Sequence, residues 1–202
     1  MKNLKSLSSI IAIAALSFLI YSCSCPCSGK KDVPNVPLDV LNNATAFVIS
    51  KTGEKFFNDY IIPDFVLTKH VPPYYEMTYR LYIPEKPYVN TKISFTVDGT
   101  GKVVEKKDII GIPECVTTPS SCDWQIDKEA AISIAKENKL EEGVKDWKMR
   151  FVWNPERQIY VWHILTTIRE FEGDFGYRGS GNEMLIDPVS GEVLAVTGWH
   201  IQ

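Results

Sequence analysis

The sequence predicts an α+β fold of two tandem helix-on-antiparallel-sheet units, each with one helix followed by three to four strands. Three observations lead to this prediction. A helical pattern of apolar residues occurs twice, strand-like segments follow each helix, and each copy closes with a turn from an aspartate to a glycine. The spacing from helix cap to turn agrees between the copies within one residue, which indicates an internal duplication.

Each copy begins with a predicted helix. The first has Asp39 as its N-cap, an apolar stripe of Leu41, Ala44 and Val48, and Gly53 as its stop. The second has Asp127 as its N-cap, followed by a stripe of Ala130, Ala131, Ile134 and Ala135 with charged residues around it. Both helices are therefore expected to bury one face.

The strand-like segments follow in the same order in both copies. In the first copy they are Asp64–Val71, Tyr75–Ile83 and Lys92–Asp98. In the second copy they are Trp147–Trp153, Ile159–Arg169 and Glu183–Asp187. The strand over Lys92–Asp98 alternates apolar and polar residues, which predicts one buried face and one solvated face.

The closing turns carry an acidic residue and a glycine, Asp98 with Gly101 and Asp187 with Gly191. An aspartate accepts hydrogen bonds from its own turn, and a glycine adopts positive φ without strain. A calcium loop needs alternating oxygen ligands, which these segments lack. We therefore interpret the four residues as turn formers, not as metal ligands.

The N-terminus predicts export and lipid anchoring. Lys2 and Lys5 precede an apolar run over residues 7–20, which is shorter than the roughly 20 residues that span a bilayer. Residues 20–23, Ile-Tyr-Ser-Cys, resemble a bacterial lipobox, which implies cleavage after residue 22 and a lipid on Cys23. The alternative is a secreted protein cleaved near Ser24. The expected location is the cell envelope, with the anchor in the outer membrane of a Gram-negative bacterium.

The expected organisation has five parts: a signal peptide (1–22), a lipidated flexible tether (23–37), repeat 1 (38–114), a disulfide-closed linker (115–125) and repeat 2 (126–202). The whole chain has a net charge of −3, and removal of Lys2 and Lys5 with the signal changes it to −5. An acidic protein is a poor partner for nucleic acid.

The cysteines predict a structural disulfide and no metal or redox centre. Cys115 and Cys122 flank a short loop in an exported chain, where a local disulfide of modest stabilising effect is expected. Cys25 and Cys27 are left open as paired, free or incidental. No Cys-x-x-Cys motif is present, and the three histidines are scattered, so no cofactor or metal is expected.

Repeat 2 resembles the PepSY domain family. The resemblance depends on the capped helix at 127–135, the segment Tyr160-Val161-Trp162 and the closing motif over 186–194. It implies a helix packed across an antiparallel sheet, and a role in binding or restraining proteases. Repeat 1 is PepSY-like only, and the tandem resembles the duplicated architecture of β-lactamase inhibitory proteins.

Aromatic residues crowd repeat 2, and the strand beginning at Ile159 is apolar on both faces. One interpretation is an exposed partner-binding patch of Tyr160, Trp162, Ile164 and Trp153, since Trp and Tyr dominate interface hot spots. The alternative is that the second face packs on repeat 1. His163, in the same strand, is interpreted as a core or interface histidine.

The sequence therefore predicts a protein-binding module of the envelope and not an enzyme. Its specific form is an inhibitor or chaperone of an envelope protease, held at the membrane by its lipid. The alternatives are a structural lipoprotein in envelope complex assembly, favoured by a stable complex with membrane proteins, and a small-ligand-binding protein, favoured by a closed pocket between the repeats.

Overall fold

A computed structural model describes residues 35–173 and 176–201. Cys23, the signal segment, Cys25 and Cys27 lie outside these residues. The described residues belong to one compact unit. Among the described residues, every helix is too short or too polar to cross a membrane.

The first half of this unit begins with two helices, α1 (Leu38–Thr52) and α2 (Glu54–Tyr60). Gly53 ends α1 at a φ of 82°, as predicted. Asp39 is not the cap: Pro37 holds that position with a φ of −54°, and its carbonyl accepts the Leu41 amide at 3.0 Å. The rigid ring of proline starts the helix before Asp39, which lies in the first turn.

The first sheet contains β1 (Ile61–Pro63), β2 (Lys69–Val71), β3 (Tyr74–Tyr82) and β4 (Asn90–Val97), all paired antiparallel. β3 is central, with β1 and β2 end to end on one side and β4 on the other. The predicted strand Asp64–Val71 is wrong in its first half. The Asp64 carboxylate accepts the Val66 and Leu67 amides at 3.0 and 3.1 Å, which makes a turn there.

The second half contains α3 (Lys128–Glu137) and a sheet of five strands. The strands are β5 (Lys148–Asn154), β6 (Ile159–Leu165), β7 (Arg169–Gly173), β8 (Gly176–Ile186) and β9 (Val193–Ile201). β6 and β7 lie end to end along one side of β8, and β9 pairs with the other side. The predicted single strand Ile159–Arg169 is therefore interrupted, and β8 begins earlier than predicted. The α+β prediction, with helices followed by antiparallel strands in two units, is confirmed.

Helix α3 is capped as predicted. The Asp127 carboxylate accepts the Ala130 amide at 2.8 Å. Ala131 and Ala135 are fully buried against the second sheet's core, which also contains Trp162 and Ile164. The two small side chains allow the helix to approach the sheet closely.

Each closing turn packs against the helix of its own half. The Asp98 carboxylate accepts the Thr100 and Lys102 amides at 2.8 and 3.1 Å, as expected of a turn former. At Gly101, φ is 83°, and an added Cβ would lie 2.8 Å from the Val40 carbonyl oxygen of α1. At Gly191, φ is 77°, and an added Cβ would lie 3.0 Å from the Ile134 side chain of α3. Positive φ favours glycine at both positions, and at Gly101 the backbone of α1 also leaves no room for a side chain.

The two halves share one aromatic core. Trp124 of the linker is 1% exposed, and its ring lies 5.2 Å from Tyr160 and 5.3 Å from Phe151. Phe151 and Tyr88 contact the buried clusters of both halves. The linker is closed by the predicted disulfide between Cys115 and Cys122, whose Cα atoms are 5.5 Å apart.

Candidate functional site

Three of the four residues predicted to bind a partner are core residues. Tyr160, Trp162 and Ile164 are at most 2% exposed. The Tyr160 hydroxyl donates to the Gly111 carbonyl at 2.7 Å, and Trp162 Nε1 donates to the Ile126 carbonyl at 2.8 Å. Tyr160 belongs to the buried core of the first half. Its position agrees with the alternative interpretation, in which the second face of the strand packs on repeat 1. These side chains form no exposed patch.

Trp153, the fourth predicted partner-binding residue, lines a large surface concavity. Its ring packs against Tyr160 at 5.2 Å, and the side chain is partly exposed. Its Nε1 is buried and has no hydrogen-bond partner in the described part of the chain. Trp153 therefore joins the shared core to a groove on the first sheet.

This outer groove is open, has a volume of about 840 Å³, and lies on the face of the first sheet opposite α1. Strand alternation explains its polar floor, because the inward residues of β3 and β4 fill the core and the outward residues remain. The floor consists of Glu76, Thr78, Arg80, Lys92, Ser94 and Thr96. Asp64, Leu67 and Lys69 line one side, and Asp108, Ile110 and Trp153 also line the groove.

Hydrogen bonds fix both walls of the outer groove. On one side the Thr68 hydroxyl, in a residue 2% exposed, accepts the Thr78 amide at 3.1 Å and donates to the Asp64 carbonyl at 2.9 Å. On the other side Ser94 and Ile110 exchange two backbone hydrogen bonds of 2.9 Å. The groove is therefore largely formed before any ligand enters, which lowers the entropic cost of binding.

The charges of the outer groove are unevenly placed. Arg80 on β3 is directly opposite Lys92 on β4, and both are exposed. Like charges in such a pair destabilise a sheet. Across the residues that the structure describes, neither cation has an ion-pair partner within 4.0 Å. At the other end Lys69 is opposite Glu76, a pair of complementary sign.

A second candidate surface is the edge strand β9. It pairs with β8 alone among the described strands. Its nine residues include no Lys, Arg, Asp, Glu or Pro, the residues that usually protect an edge. Val196 and Ile201 are 54% and 51% exposed. β9 is therefore open to pairing with a strand of another chain.

The outer face of the second sheet holds a small polar cluster. His163 Nε2 lies 3.0 Å from one oxygen of Glu183, and the Thr197 hydroxyl donates to the other oxygen at 2.6 Å. The Thr197 hydrogen bond, followed by the histidine, lowers the pKa of Glu183. The hydroxyl donates to the carboxylate and not to the imidazole, so His163 does not activate it as a nucleophile. We interpret the cluster as structural.

Neither a metal site in the described residues nor a similarity to known proteins indicates a further functional site. Within residues 35–173 and 176–201, no three Cys, His, Asp or Glu side chains are grouped to hold a metal ion. No protein-family model matches the chain, and no curated protein is significantly similar to it.

Sequence reasoning missed the outer groove, although part of its signal was visible. The alternation over Lys92–Asp98 gave a polar face with Lys92, Ser94 and Thr96. The alternation did not predict the strand register, which places Arg80 beside Lys92. Register depends on pairing between strands, which a single strand's pattern does not encode.

Proposed function

We propose that this chain is a lipid-anchored protein of the cell envelope that binds an extended segment of another envelope protein in the outer groove. The observation that carries the proposal is the groove itself, a preformed polar concavity on an open sheet face. β3 has nine residues and extends over about 30 Å, which suits an extended polypeptide. Small-molecule sites usually enclose most of their ligand, which an open face does not.

The space between the two halves argues against the small-ligand alternative. A closed apolar pocket at that boundary would favour it, but Trp124, Phe151 and Tyr160 pack there with ring centroids 5.0 to 5.3 Å apart. Packed rings leave no room for a ligand of drug size.

The location and the partner class are supported by the sequence. The lipobox at residues 20–23 predicts lipid on Cys23, and the Cys115–Cys122 disulfide is typical of an oxidising compartment. Because residues 126–196 resemble PepSY domains, we propose an envelope protease as the partner. In that case the chain acts as an inhibitor or chaperone and not as an enzyme.

Site-specific photo-crosslinking in the native envelope tests this proposal. Leu67 and Ile110 line the outer groove, and each is 41% exposed. A photoreactive residue at either position is expected to capture the same envelope protein. The matched control is Val144, 62% exposed on a loop and not part of the groove. Capture from Val144 but from neither groove position would contradict the proposal.

Two further measurements test the lipid anchor and the structural-lipoprotein alternative. Cys23→Ala should abolish fatty-acid labelling and release the protein from the membrane fraction, while Cys25→Ala should change neither. The open edge of β9 favours the alternative of a structural lipoprotein that joins an assembly by strand addition. Capture of assembly proteins from Val196, with none from Leu67 or Ile110, would support that alternative.

A further inference from the structure

We propose that Arg80 and Lys92 form an anion site in the outer groove that receives a side-chain carboxylate, from Asp or Glu, of the bound segment. This inference rests on the proposed function and adds the chemistry that selects the partner: an extended segment with an acidic residue.

Arg80 and Lys92 are direct cross-strand partners on the outer face. Side chains in that relation have Cβ atoms about 4.5–5.5 Å apart, so two cationic side chains leave the sheet from adjacent positions. Such a pair is unfavourable until an anion lies between the charges.

Nearby acidic residues do not neutralise Arg80 and Lys92. Asp64, Glu76 and Asp108 also line the groove, but none of them makes an ion pair among the described residues. One oxygen of Asp64 already accepts two amides of its own turn. The cations are therefore free to bind an external anion.

Two neighbouring side chains orient the guanidinium of Arg80. Arg80 Nε donates to Asn90 Oδ1 at 3.2 Å, and the guanidinium carbon lies 5.5 Å from the centre of the Tyr82 ring. These contacts hold the side chain and leave the terminal nitrogens available. A guanidinium held in this way matches the two oxygens of a carboxylate.

The charges around the pair favour a carboxylate over a more highly charged anion. Three acidic residues share the groove, and they repel a dianion more strongly than a single negative charge. The sheet face continues past the pair to the next row, Tyr82 and Asn90. A segment can therefore run across the cations, which favours a side-chain carboxylate over a chain terminus.

Binding of defined peptide pools tests the inference. The probes are fluorescent random dodecapeptides with blocked ends, one pool with a fixed central Glu and a second with Gln, and a third Gln pool with a free carboxyl terminus. Anisotropy is measured against the full lipidated chain in nanodiscs. We expect the Glu pool to bind about threefold to tenfold more tightly than the blocked Gln pool, and the difference to shrink at high salt.

Matched variants locate the effect. Arg80→Gln and Lys92→Gln should each remove most of the preference for Glu. Arg150→Gln and Lys148→Gln make the same charge changes at exposed positions of β5, outside the groove, and should retain it. Lys92→Gln should also melt at or above the wild-type temperature, because it relieves repulsion without removing the contacts of Arg80 with Asn90 and Tyr82. A lower melting temperature for Lys92→Gln would show that the two charges do not repel each other in the folded chain.

The outcomes separate this inference from the proposed function. Equal, groove-dependent binding of both blocked pools would overturn the anion site and leave peptide binding intact. A preference for the free carboxyl terminus alone would overturn the assignment to a side chain. Failure of every pool to bind would overturn both proposals.

Discussion

At the scale of single residues, the tertiary environment decides the role of a side chain more than its residue type does. Tyr160 has the character of an interface hot spot, yet it is 2% exposed and its hydroxyl bonds the Gly111 carbonyl. Asp39 and Asp127 both lie at the start of a helix, but only Asp127 caps one, whereas Asp39 lies within the first turn. Residue type limits the interactions that a side chain can make, and the neighbouring residues determine which of them it makes.

The buried hydroxyl of Tyr160 gives a prediction for stability. Tyr160→Phe leaves the Gly111 carbonyl without its donor, which should lower the free energy of unfolding by about 1–2 kcal/mol. Burial raises the pKa of Tyr160 above its ordinary value. The unfolded chain therefore releases this proton first as pH rises past about 10, and wild type should lose stability there. Urea titrations across this range should show a smaller loss for the variant; an equal loss would contradict this account.

Asp127 and Asp39 allow a direct comparison of a capping residue with a residue in the first turn of a helix. Asp127→Ala should lower the free energy of unfolding by about 1 kcal/mol, because the Ala130 amide loses its acceptor. Asp39→Ala should cost less, since Asp39 contributes only a favourable charge to the first turn of its helix. Chemical denaturation of both variants measures the difference. A larger effect at Asp39 would show that the capping assignment is reversed.

At the scale of elements, the edge strands of the second sheet, β5, β7 and β9, differ in charge. β5 carries Lys148 and Arg150 on its sequence, and such charges discourage pairing with a foreign strand. β9 carries no charge over its whole length. The first sheet has a different arrangement, in which the bridge between Ser94 and Ile110 covers part of β4. Among the edge strands of the second sheet, β9 is therefore the one without charged residues to discourage pairing with another chain.

A charge placed on β9 should suppress association through that edge. Val196→Lys puts a lysine at a position 54% exposed, so folding should be nearly unaffected while self-association at high concentration falls. Val144→Lys, at a loop position 62% exposed, adds the same charge and should leave association less changed. Light scattering and sedimentation measure both. Equal effects would assign the change to net charge and not to the edge.

At the scale of the whole molecule, the two described halves share one core. Trp124 in the linker contacts aromatic rings of both halves, and Phe151 and Tyr88 belong to the surroundings of both buried clusters. Neither half would keep its aromatic residues buried alone. The duplicated organisation in sequence is therefore joined by a shared core.

We expect a single unfolding transition for residues 34–202. Phe151→Ala should lower the unfolding free energy of both halves together, by about 3 kcal/mol. Hydrogen exchange of amides in β3 and in β6 should report the same loss. Phe171→Ala, at a position 68% exposed, is the control and should change neither. Two separate transitions, or a loss confined to the second half, would contradict a shared core.

The local chemistry of the chain determined several features by itself. The Asp127 cap, the Gly53 stop, the disulfide and the alternating strand β4 follow from interactions between residues near in sequence. The α+β class follows from the repeated change of hydrophobic period. Such signals are readable because capping, turn formation and short loop closure need no distant partner.

Tertiary structure alone decided the burial of Tyr160 and Trp162, the interruption between β6 and β7, and the placement of Arg80 beside Lys92. Each depends on residues far apart in the chain. A strand that is apolar on both faces has the same sequence whether it meets a foreign protein or its own other half. The outer groove likewise exists only once strand register, the loop after β1 and the segment over residues 108–110 come together, because pairing between strands sets which charges become neighbours.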